Sequence, residues 1–353
     1  MSPPSLTVLV LGVGGNVSQG ILKALSASGL LCRVVAGCVS PLSLGLYLAD
    51  RAFVTPYADD PAFAGWLERV CTEEQVDAVL SGVEPVLDAL APTAEALRER
   101  TGARCLVSSP SVLAVGRDKL VTARWLHEHG FASPRSADAA DAEGVRNLAA
   151  ESGLPLVAKP KQGKASEGVA IVRDQAELDL LAGRPELMVQ EYLPGDDEEF
   201  TVGCVCDSAG ELRGSLAMRR RLQGGTTSRA EAGDFPEVRS YAEAIARELR
   251  PAGPLNVQVR MVAGQPVAFE LNVRFSGTTP VRARLGFNEV EATLRHYLLG
   301  EPLRLPRVTT GTVLRYWNEA YVSESARERL TATGRLDDPR AHPLTVEDWG
   351  MGG

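Results

Sequence analysis

The sequence predicts an α/β protein in which a domain built on a doubly wound parallel sheet precedes two α+β subdomains. Apolar runs and helix-like segments alternate from Leu6 to about Pro110, which is typical of a parallel sheet with helices on both faces. From Glu186 onward, strands with two-residue alternation prevail. The length of 353 residues allows two or three packed domains, at about 100 to 200 residues each.

Each unit has its own order of elements. The first unit, residues 1–115, contains LTVLVLG, SQGILKALSASG, CRVVAGC, FAGWLERVCTEEQ, VDAVLSG and ALAPTAEALRER. The second unit, residues 116–190, contains helices in DKLVTARWLHEHG and around 142–152, then the strands LPLVAKP and VAIVRD. The third unit, residues 191–353, runs through strands to a hairpin around Gly264. It ends in one strand within GTVLRYWNEAYV and a polar tail of weak pattern.

The composition argues against two classes of partner. The net charge is -8 and the longest basic run is Arg219 to Arg221, so the chain offers no basic field to nucleic acid. No stretch approaches the roughly 18 apolar residues that a membrane span needs. The apolar start lacks a preceding positive residue, so it predicts a buried strand. We therefore expect a cytoplasmic protein whose six cysteines, without CxxC spacing, are reduced and buried.

The glycine-rich turn GVGGNVSQG follows the first strand and allows two interpretations. Gly12 and Gly14 fit the opening of the dinucleotide-binding pattern G-x-G-x-x-G. However, Val17 stands where the third glycine belongs, and the second strand ends without an acid for a ribose hydroxyl. We favour a tight turn that faces a substrate cleft with Gly14 and Asn16. A nicotinamide-dependent oxidoreductase is the alternative.

A lysine at the end of an apolar strand introduces a second candidate site. Lys159 is followed by the loop PKQGKASEG, in which Gly163 and Gly168 would let backbone amides approach phosphate oxygens. Burial of a lysine in such a strand requires a compensating anion. The loop differs from a Walker A loop because it leads to a strand and not to a helix. An ordinary hairpin connection is the alternative.

The segment MVQEYLPGDDEEFTV joins two strands through a short Pro-Gly crossing. Backbone groups of a chain that crosses between two domains can bind an adenine edge, and the carboxylate of Glu199 can accept hydrogen bonds from both ribose hydroxyls. Taken alone, the segment is better interpreted as a solvated acidic turn. The nucleotide interpretation depends on its neighbours in the chain.

Polar residues at every second position mark the last strand pair. They are Asn256, Gln258 and Arg260 on the first strand, then Glu270, Asn272 and Arg274 on the second. A turn centred on Gly264 sets Gln258 opposite Glu270 at about 5 Å, which one metal ion can bridge. Oxygen ligands select a hard cation, here Mg²⁺ or Mn²⁺, and Arg274 can then reach a phosphate oxygen. A sheet with one face in water would show the same alternation.

These residues resemble the ATP-grasp superfamily, most closely its branch of carbamoyl phosphate synthetase large subunits. The resemblance runs from Leu6 to about Leu305, and its most specific part is Gln258 with Glu270-x-Asn272-x-Arg274, which is similar to that branch's metal and phosphate set. The first unit resembles the domain that precedes the ATP-grasp fold. The resemblance implies a nucleotide site formed by Lys119, Lys159, Gly163, Ser166, Gly168, Gln190, Glu191, Tyr192, Leu193 and Glu199.

The family implies an ATP-dependent ligase that forms a C–N bond. A substrate carboxylate attacks the γ-phosphate, and an amine or related nucleophile then displaces phosphate. The implied catalytic cations are Lys159 and Arg274, and we add Arg219 and Arg221, with Arg220 facing solvent. For these three arginines a solvated basic edge is the alternative. The residues expected at the substrate are Gly14, Asn16, Ser276, Gly277, Arg282 and Asn288.

Small-molecule carboxylates and amines are therefore the expected partners, and a homodimer is considered possible. The chain carries one ATP-grasp unit where the synthetase carries two, so carbamoyl phosphate synthesis itself is not expected. A catalytically silent nucleotide-binding protein is the remaining alternative. A silent protein of this kind would be expected to have lost a metal ligand, but Glu270 and Asn272 are both present.

Overall fold

The computed structural model describes residues 6–163, 167–181, 183–195, 198–305 and 308–347. Ser166, which the resemblance assigns to the nucleotide site, lies outside the described residues. The described residues form two six-stranded sheets, a four-stranded sheet and a two-stranded sheet. Their helices are α1 (Asn16–Ser26), α2 (Phe63–Glu73), α3 (Glu84–Leu90), α4 (Ala94–Thr101), α5 (Pro110–Arg117), α6 (Lys119–Glu128), α7 (Ala142–Ser152), α8 (Gln175–Asp179), α9 (Pro236–Leu249), α10 (Thr279–Arg284), α11 (Glu289–Leu299) and α12 (Glu324–Thr333).

The first sheet belongs to the N-terminal domain and confirms the expected parallel, doubly wound arrangement. Its strands are β1 (Leu6–Leu11), β2 (Cys32–Cys38), β3 (Arg51–Val54), β4 (Ala78–Ser81), β5 (Arg104–Cys105) and β17 (Arg335–Leu336). Their spatial order is β17-β3-β2-β1-β4-β5, and β1 to β5 are parallel. Helices cover both faces, because Val8 packs with Ile21 of α1 whereas Leu9 packs with Trp66 of α2.

The middle sheet contains four antiparallel strands. They are β6 (Ser136–Asp138), β7 (Leu156–Pro160), β8 (Ala170–Val172) and β9 (Leu187–Glu191), in the order β6-β9-β7-β8. Leu148 of α7 and Leu178 of α8 pack in one apolar cluster with Leu156 of β7. Residues 161–163 and 167–169, the described parts of the glycine-rich segment between β7 and β8, therefore lie at one end of this sheet.

The large sheet contains six antiparallel strands. They are β10 (Glu199–Cys206), β11 (Leu212–Gln223), β12 (Thr226–Ala232), β13 (Gly253–Val262), β14 (Gln265–Asn272) and β15 (Gly311–Leu314), in the order β14-β13-β10-β11-β12-β15. One face packs against Leu113 of α5, Leu126 of α6 and Ile245 of α9. The opposite face packs partly against Ala292 of α11, and the rest of it faces the middle sheet across a cavity.

The segment after Gly311 differs from the expected single strand. It forms two short strands, β15 at the edge of the large sheet and β16 (Ala320–Val322), which pairs with β18 (Leu344–Val346). The residues 315–319 connect them outside any strand. The expectation failed because two-residue alternation shows that a strand forms but not where the chain changes its pairing partner.

The polar tail packs on the N-terminal domain and not on the last subdomain. Ala326 and Leu330 of α12 and Leu336 of β17 are buried in the same apolar cluster as α1 and β1. β17 pairs antiparallel with β3. The division that gave residues 191–353 to one subdomain is therefore wrong for this tail, and the boundary at residue 115 falls within α5. β17 has only two residues, and its partner β3 lies near the other end of the sequence, so no local pattern predicts this pairing.

The other expectations from composition concern membranes and thiols. Among the described residues, no helix combines the length and the apolar character that a membrane crossing requires. All six cysteines are free thiols, of which four are buried, whereas Cys32 and Cys105 are only partly buried. Burial raises the pKa of Cys71 to about 12, so this thiol stays protonated near neutral pH.

The packing of the tail leads to a prediction about stability. The change Leu336→Ala removes a side chain that is 1% exposed from the core of the first sheet. We expect the free energy of unfolding to fall by about 2 to 5 kcal/mol, measured by urea denaturation. Val346→Ala on β18, where the side chain is 53% exposed, should change it by less than about 0.5 kcal/mol. Equal effects of the two changes would show that β17 does not complete the first sheet.

Candidate active site

A cavity of about 290 Å³ lies between the middle sheet and the large sheet. Most residues assigned to the nucleotide and metal sites line it: Lys119, Lys159, Gly163, Gln190, Glu191, Tyr192, Leu193, Glu199, Gln258 and Glu270. Apolar side chains complete the wall: Val157, Val169, Ile171, Leu222 and Phe269. The cavity therefore joins charged and amide groups to an apolar surface, as ligand sites in proteins commonly do.

Lys159 is a buried cation in the wall of this cavity. It lies in β7, is 7% exposed, and donates from Nζ to Oε1 of Gln190 on β9 at 2.7 Å. Burial lowers the pKa of Lys159 to about 8, although Glu270 acts in the opposite direction. The partner that bonds to its ammonium is thus a neutral amide. An ammonium in this environment is stabilised by an anionic ligand.

A β-bulge in β14 determines which residue lies opposite Gln258. Near the turn of the hairpin, Val259 pairs with Ala268. The next pair is Gln258 with Glu270, so Phe269 is an extra residue on β14. The expected pairing of Gln258 with Glu270 is present, but it depends on the bulge and not on a turn centred on Gly264.

The bulge also changes which side chains of this segment face the core. Ala268, Leu271 and Val273 pack in the apolar core of the large sheet. The first two are three residues apart, so the two-residue alternation is broken between them. Phe269 and Glu270 consequently both line the cavity. With strict alternation from Ala268, Glu270 would face the core. The orientation of Glu270 toward the cavity thus depends on the bulge at Phe269.

Gln258, Glu270 and Asn272 offer a set of oxygen ligands. Nδ2 of Asn272 donates to Oε1 of Glu270 at 3.1 Å. Oε1 of Gln258 accepts from Arg220 at 2.7 Å, and Oδ1 of Asn272 accepts from Arg274 at 2.8 Å. Both amide oxygens are therefore directed at cationic groups. One carboxylate and two amide oxygens fit a hard divalent cation, whereas no cluster of three His, Cys, Asp or Glu side chains occurs within the described chain.

Two arginines hold the carboxylate of Glu199 at the start of β10. Its Oε1 accepts from Nε and Nη2 of Arg220 at 3.1 and 2.8 Å. Its Oε2 accepts from Nε and Nη2 of Arg260 at 3.3 and 2.9 Å. Nη1 of Arg260 also donates to the carbonyl of Leu193 at 2.6 Å. Because four N–H groups already fill the acceptor positions of this carboxylate, a ligand hydroxyl would have to share them.

The structure corrects the orientation of the three consecutive arginines. Arg220, which we expected to face solvent, is 9% exposed and lies beside Glu199 on the side of the cavity. Arg219 and Arg221, which we expected at a phosphate or a carboxylate, are exposed. The three residues Leu216 to Met218, just before the arginines, are all apolar and buried, so the apolar pattern did not reveal which face meets the cavity.

Arg274 connects the end of β14 to the N-terminal domain. Its Nε and Nη2 donate to Oε1 of Glu84, at the start of α3, at 3.2 and 2.8 Å. Its Nη1 donates to the carbonyl of Phe275 at 3.0 Å. Arg274 and Glu84 line a small neighbouring cleft and not the larger cavity. We did not identify Glu84 from the sequence, since a contact between such distant parts of the chain leaves no local signal.

The glycine-rich loop between β7 and β8 contacts the start of α6. Nζ of Lys119 donates to the carbonyl of Gly163 at 3.1 Å. Gly168 has a φ of +73°, and a Cβ at this position would lie 2.9 Å from the ring of Pro160. A larger residue at position 168 would therefore strain the loop. Gly168 itself does not line the cavity.

The glycine-rich turn after β1 meets the loop that follows Arg274. A Cβ on Gly277 would lie only 2.6 Å from Nδ2 of Asn16. Gly14 and Asn16 are both exposed. Of the residues expected at the substrate, the structure thus brings together Asn16 and Gly277, at the junction of the N-terminal domain with the large sheet.

Three other residues expected at the substrate stabilise this junction instead. Arg282 is 1% exposed and pairs with the fully buried Glu289 at 2.6 Å. Its Nη2 also donates to the hydroxyl of Ser276, which is buried as well. Asn288 caps α11, and its Nδ2 donates to the carbonyl of Ala24 on α1 at 2.9 Å. The sequence pattern showed polar residues near the site but not that their partners lie within the protein.

Several residues around the cavity were not assigned from the sequence, among them Arg260, Arg220 and Phe269. Arg260 shares a strand face with Gln258, so the two-residue alternation of β13 could have identified it. Arg220 could not be chosen among three adjacent arginines. Phe269 lines the cavity because of the bulge, for which the sequence shows no clear signal.

Two families match parts of this chain. Residues 183–320 match a family described as "ATP-grasp in the biosynthetic pathway with Ter operon". Residues 8–103 match one described as "PylC-like, N-terminal domain". The first match covers most of the large sheet, and the second covers β1 to β4. Recognition of an ATP-grasp fold with a preceding parallel-sheet domain is confirmed.

Curated relatives include large chains of carbamoyl phosphate synthase. The one from Halobacterium salinarum is 27% identical over 372 residues, which cover 96% of this chain and 34% of the relative. The one from Mesorhizobium japonicum is 24% identical over 346 residues, which cover 84% of this chain and 29% of the relative. This chain thus spans about a third of the length of these relatives.

Solved structures share the fold. An N5-carboxyaminoimidazole ribonucleotide synthetase in complex with ADP gives a TM-score of 0.72 at 18% identity, with 89% of this chain and 83% of that chain covered. The biotin carboxylase domain of 2-oxoglutarate carboxylase from Hydrogenobacter thermophilus gives 0.64 at 19% identity, with 84% and 70% covered. Neither a nicotinamide-dependent oxidoreductase nor a silent nucleotide-binding protein is supported by these comparisons.

The corrected role of Arg282 can be tested by its effect on stability. Arg282→Ala leaves Glu289 buried without its counter-charge, so we expect the free energy of unfolding to fall by about 3 to 5 kcal/mol. Arg284→Ala removes an exposed arginine from the same helix and should change it by less than about 0.5 kcal/mol. Urea denaturation measures both. Normal stability of the Arg282 variant would return this residue to the list of substrate contacts.

Proposed function

We propose that this chain, which has an ATP-grasp fold, is an ATP-dependent ligase that joins a carboxylate to an amine or a related nucleophile. The proposed reaction forms a C–N bond through an acyl phosphate and releases ADP and phosphate. The observation that carries the proposal is the cavity whose wall combines buried Lys159 with the pair Gln258 and Glu270. A buried cation facing a set of oxygen ligands suits a metal-bound polyphosphate.

The nucleotide would bind with its base against the apolar wall of the cavity. Val157 and Phe269 would contact the faces of the base, and backbone groups at Tyr192 and Leu193 would bind its edge. Gln190, Glu191 and Glu199 are the other residues assigned to the nucleotide site. They would hold the nucleotide-binding groups beside them in the correct orientation. Glu199 would act mainly by fixing Arg220 and Arg260, because these arginines occupy its oxygens.

The metal site would be formed by Gln258, Glu270 and Asn272, which fit Mg²⁺ or Mn²⁺ by the chemistry of their oxygen atoms. A divalent cation bound there would supply neutralisation of phosphate charge. Arg220 and Arg274 bond to the two amide oxygens and would therefore keep them oriented.

The reaction requires positioned cations and no protein nucleophile. Lys119 and Lys159 would neutralise the phosphates from the side of the middle sheet, and Arg274 would do so from the end of β14. Arg220 takes the place that the sequence suggested for its two neighbours, but as a positioning residue, because its contacts are to Glu199 and Gln258.

Small-molecule carboxylates and amines would enter where the exposed turn with Gly14 and Asn16 meets Gly277. We also propose a homodimer, because the matching biotin carboxylase domain is described as a dimer. A cytoplasmic location stays a prediction, since no feature of the site depends on it.

The test of the proposed function is substrate-dependent ATP turnover. We expect the protein to form ADP and phosphate in the presence of Mg²⁺ and pooled amino acids and small carboxylates, because these supply both reactants. Glu270→Gln removes the negative ligand of the metal set and should lower this rate by about 100-fold or more. Chromatography of ADP and AMP together with a phosphate assay measures the rate.

Glu231→Gln is the matched control, because Glu231 pairs with Arg219 at the surface and should leave the rate unchanged. Formation of AMP in place of ADP would rule out the acyl-phosphate route. ATP binding without turnover in any pool would contradict the ligase proposal.

The pKa of Lys159, lowered to about 8, predicts how ATP affinity depends on pH. Lysine attracts phosphate only as the ammonium, so affinity should be constant below about pH 8 and fall by up to about tenfold per pH unit above it. Calorimetric titration at constant ionic strength measures this. Lys159→Met should bind ATP weakly and lose the pH dependence, whereas Lys161→Met, which only loses its contact with Asp138, should retain it. Identical pH profiles for wild type and Lys159→Met would contradict the assignment of Lys159 to phosphate binding.

A further inference from the structure

Arg315 lies directly after β15, where the large sheet meets the N-terminal domain. Its Nη2 donates to Oδ1 of Asn16 at 3.0 Å. Its Nη1 donates to the carbonyls of Thr227 and Gly277 at 3.3 and 3.4 Å. Three segments that are distant in the chain therefore converge on one guanidinium group.

All these partners are neutral oxygen atoms. Among the residues that the structure describes, no carboxylate forms an ion pair with Arg315, although nearly every other half-buried or buried arginine around the site has one, as Arg220, Arg260, Arg274 and Arg282 do. Arg315 is only partly exposed, and burial lowers its pKa, with no carboxylate acting in the opposite direction. A partly desolvated guanidinium without a counter-charge is a group that an anion would stabilise.

The position of Arg315 relates this group to the cavity. Thr227 contacts both arginines, since its hydroxyl accepts from Arg220 at 3.5 Å and its carbonyl accepts from Arg315. Gly277, the other carbonyl partner, comes three residues after Arg274. Thr227 therefore links Arg315 to the network of Arg220 and Glu199 that borders the cavity. Arg315 lies on the side of this network that faces the exposed glycine-rich turn.

We propose that Arg315 binds a carboxylate group of the small-molecule substrate, at the junction of Asn16, Gly277 and Thr227. The planar guanidinium presents two parallel N–H groups to a carboxylate, a geometry that a lysine ammonium lacks. Its location would place such a substrate between the N-terminal domain and the cation set formed by Lys159 and Arg274. This inference rests on the proposed function, in that it names the residue that recognises the substrate of that ligase.

The first experiment compares Arg315→Gln with Arg315→Lys and with Arg229→Gln, which changes an exposed arginine on the neighbouring strand β12. The probe is an equimolar pool of the proteinogenic amino acids with succinate, malate and bicarbonate. ADP formation is measured against pool concentration at saturating ATP, and against ATP at a saturating pool. We expect Arg315→Gln to raise the half-saturating pool concentration by roughly 10- to 100-fold, while the value for ATP stays within about twofold. Arg315→Lys should recover only part of the loss, and Arg229→Gln should resemble wild type.

The second measurement does not depend on turnover. The same pool without ATP should raise the melting temperature of wild type and Arg229→Gln but not that of Arg315→Gln, and melting without the pool shows whether each variant is folded. A folded Arg315→Gln variant with unchanged response to the pool would overturn the inference, and so would a wild type that the pool does not stabilise. Stabilisation that depends on Arg315 without any ADP formation would instead support the anion site and contradict the proposed ligase activity.

Discussion

The candidate site depends on one extra residue in β14. The bulge at Phe269 moves Glu270 from the core face to the cavity face, and Asn272 and Arg274 follow it by ordinary alternation. The same bulge leaves Leu271 and Val273 in the core, so the metal set and the packing of the large sheet require the same register. If this segment paired without the bulge, the two faces would exchange from Glu270 onward, which would expose apolar side chains and bury a carboxylate.

The charges around the cavity are organised by close pairing of cations with carboxylates. Glu199 is shared by two arginines, whose N–H groups use every acceptor position of its carboxylate. Such a triad is stable only if its hydrogen bonds are complete, because desolvation of three charges costs several kcal/mol. Lys159 adds a cation whose ionisation is already disfavoured by burial. Lys159, whose ammonium bonds to a neutral amide, is thus a cation that a polyanion would stabilise.

The parts of this protein that repeat a period along the chain could be predicted from the sequence. The parallel sheet of β1 to β5 is of this kind, because strand alternation and helix spacing record burial locally. The facing pair Gln258 and Glu270 was expected as well, but it depends on a bulge that the sequence did not show. The orientation of Arg220 could not be predicted, since the three residues Leu216 to Met218 before the arginines are all apolar and buried. The ion pairs of Arg274 with Glu84 and of Arg282 with Glu289 were missed because a sequence shows charges but not their three-dimensional partners. Arg274 and Arg282, both expected at a ligand, therefore proved to have carboxylate partners within the protein.

The pairing of β17 with β3 links protein synthesis to the order of folding. The ribosome makes β1 to β5 first, so the nascent N-terminal domain has β3 as an open edge until residues 335 and 336 emerge. An open strand edge can pair with another chain, which is a common route to aggregation. A chain whose translation stalls within the ATP-grasp segment would present this edge. Pairing of the tail with β3 would therefore close this edge only after the whole of the large sheet has been made.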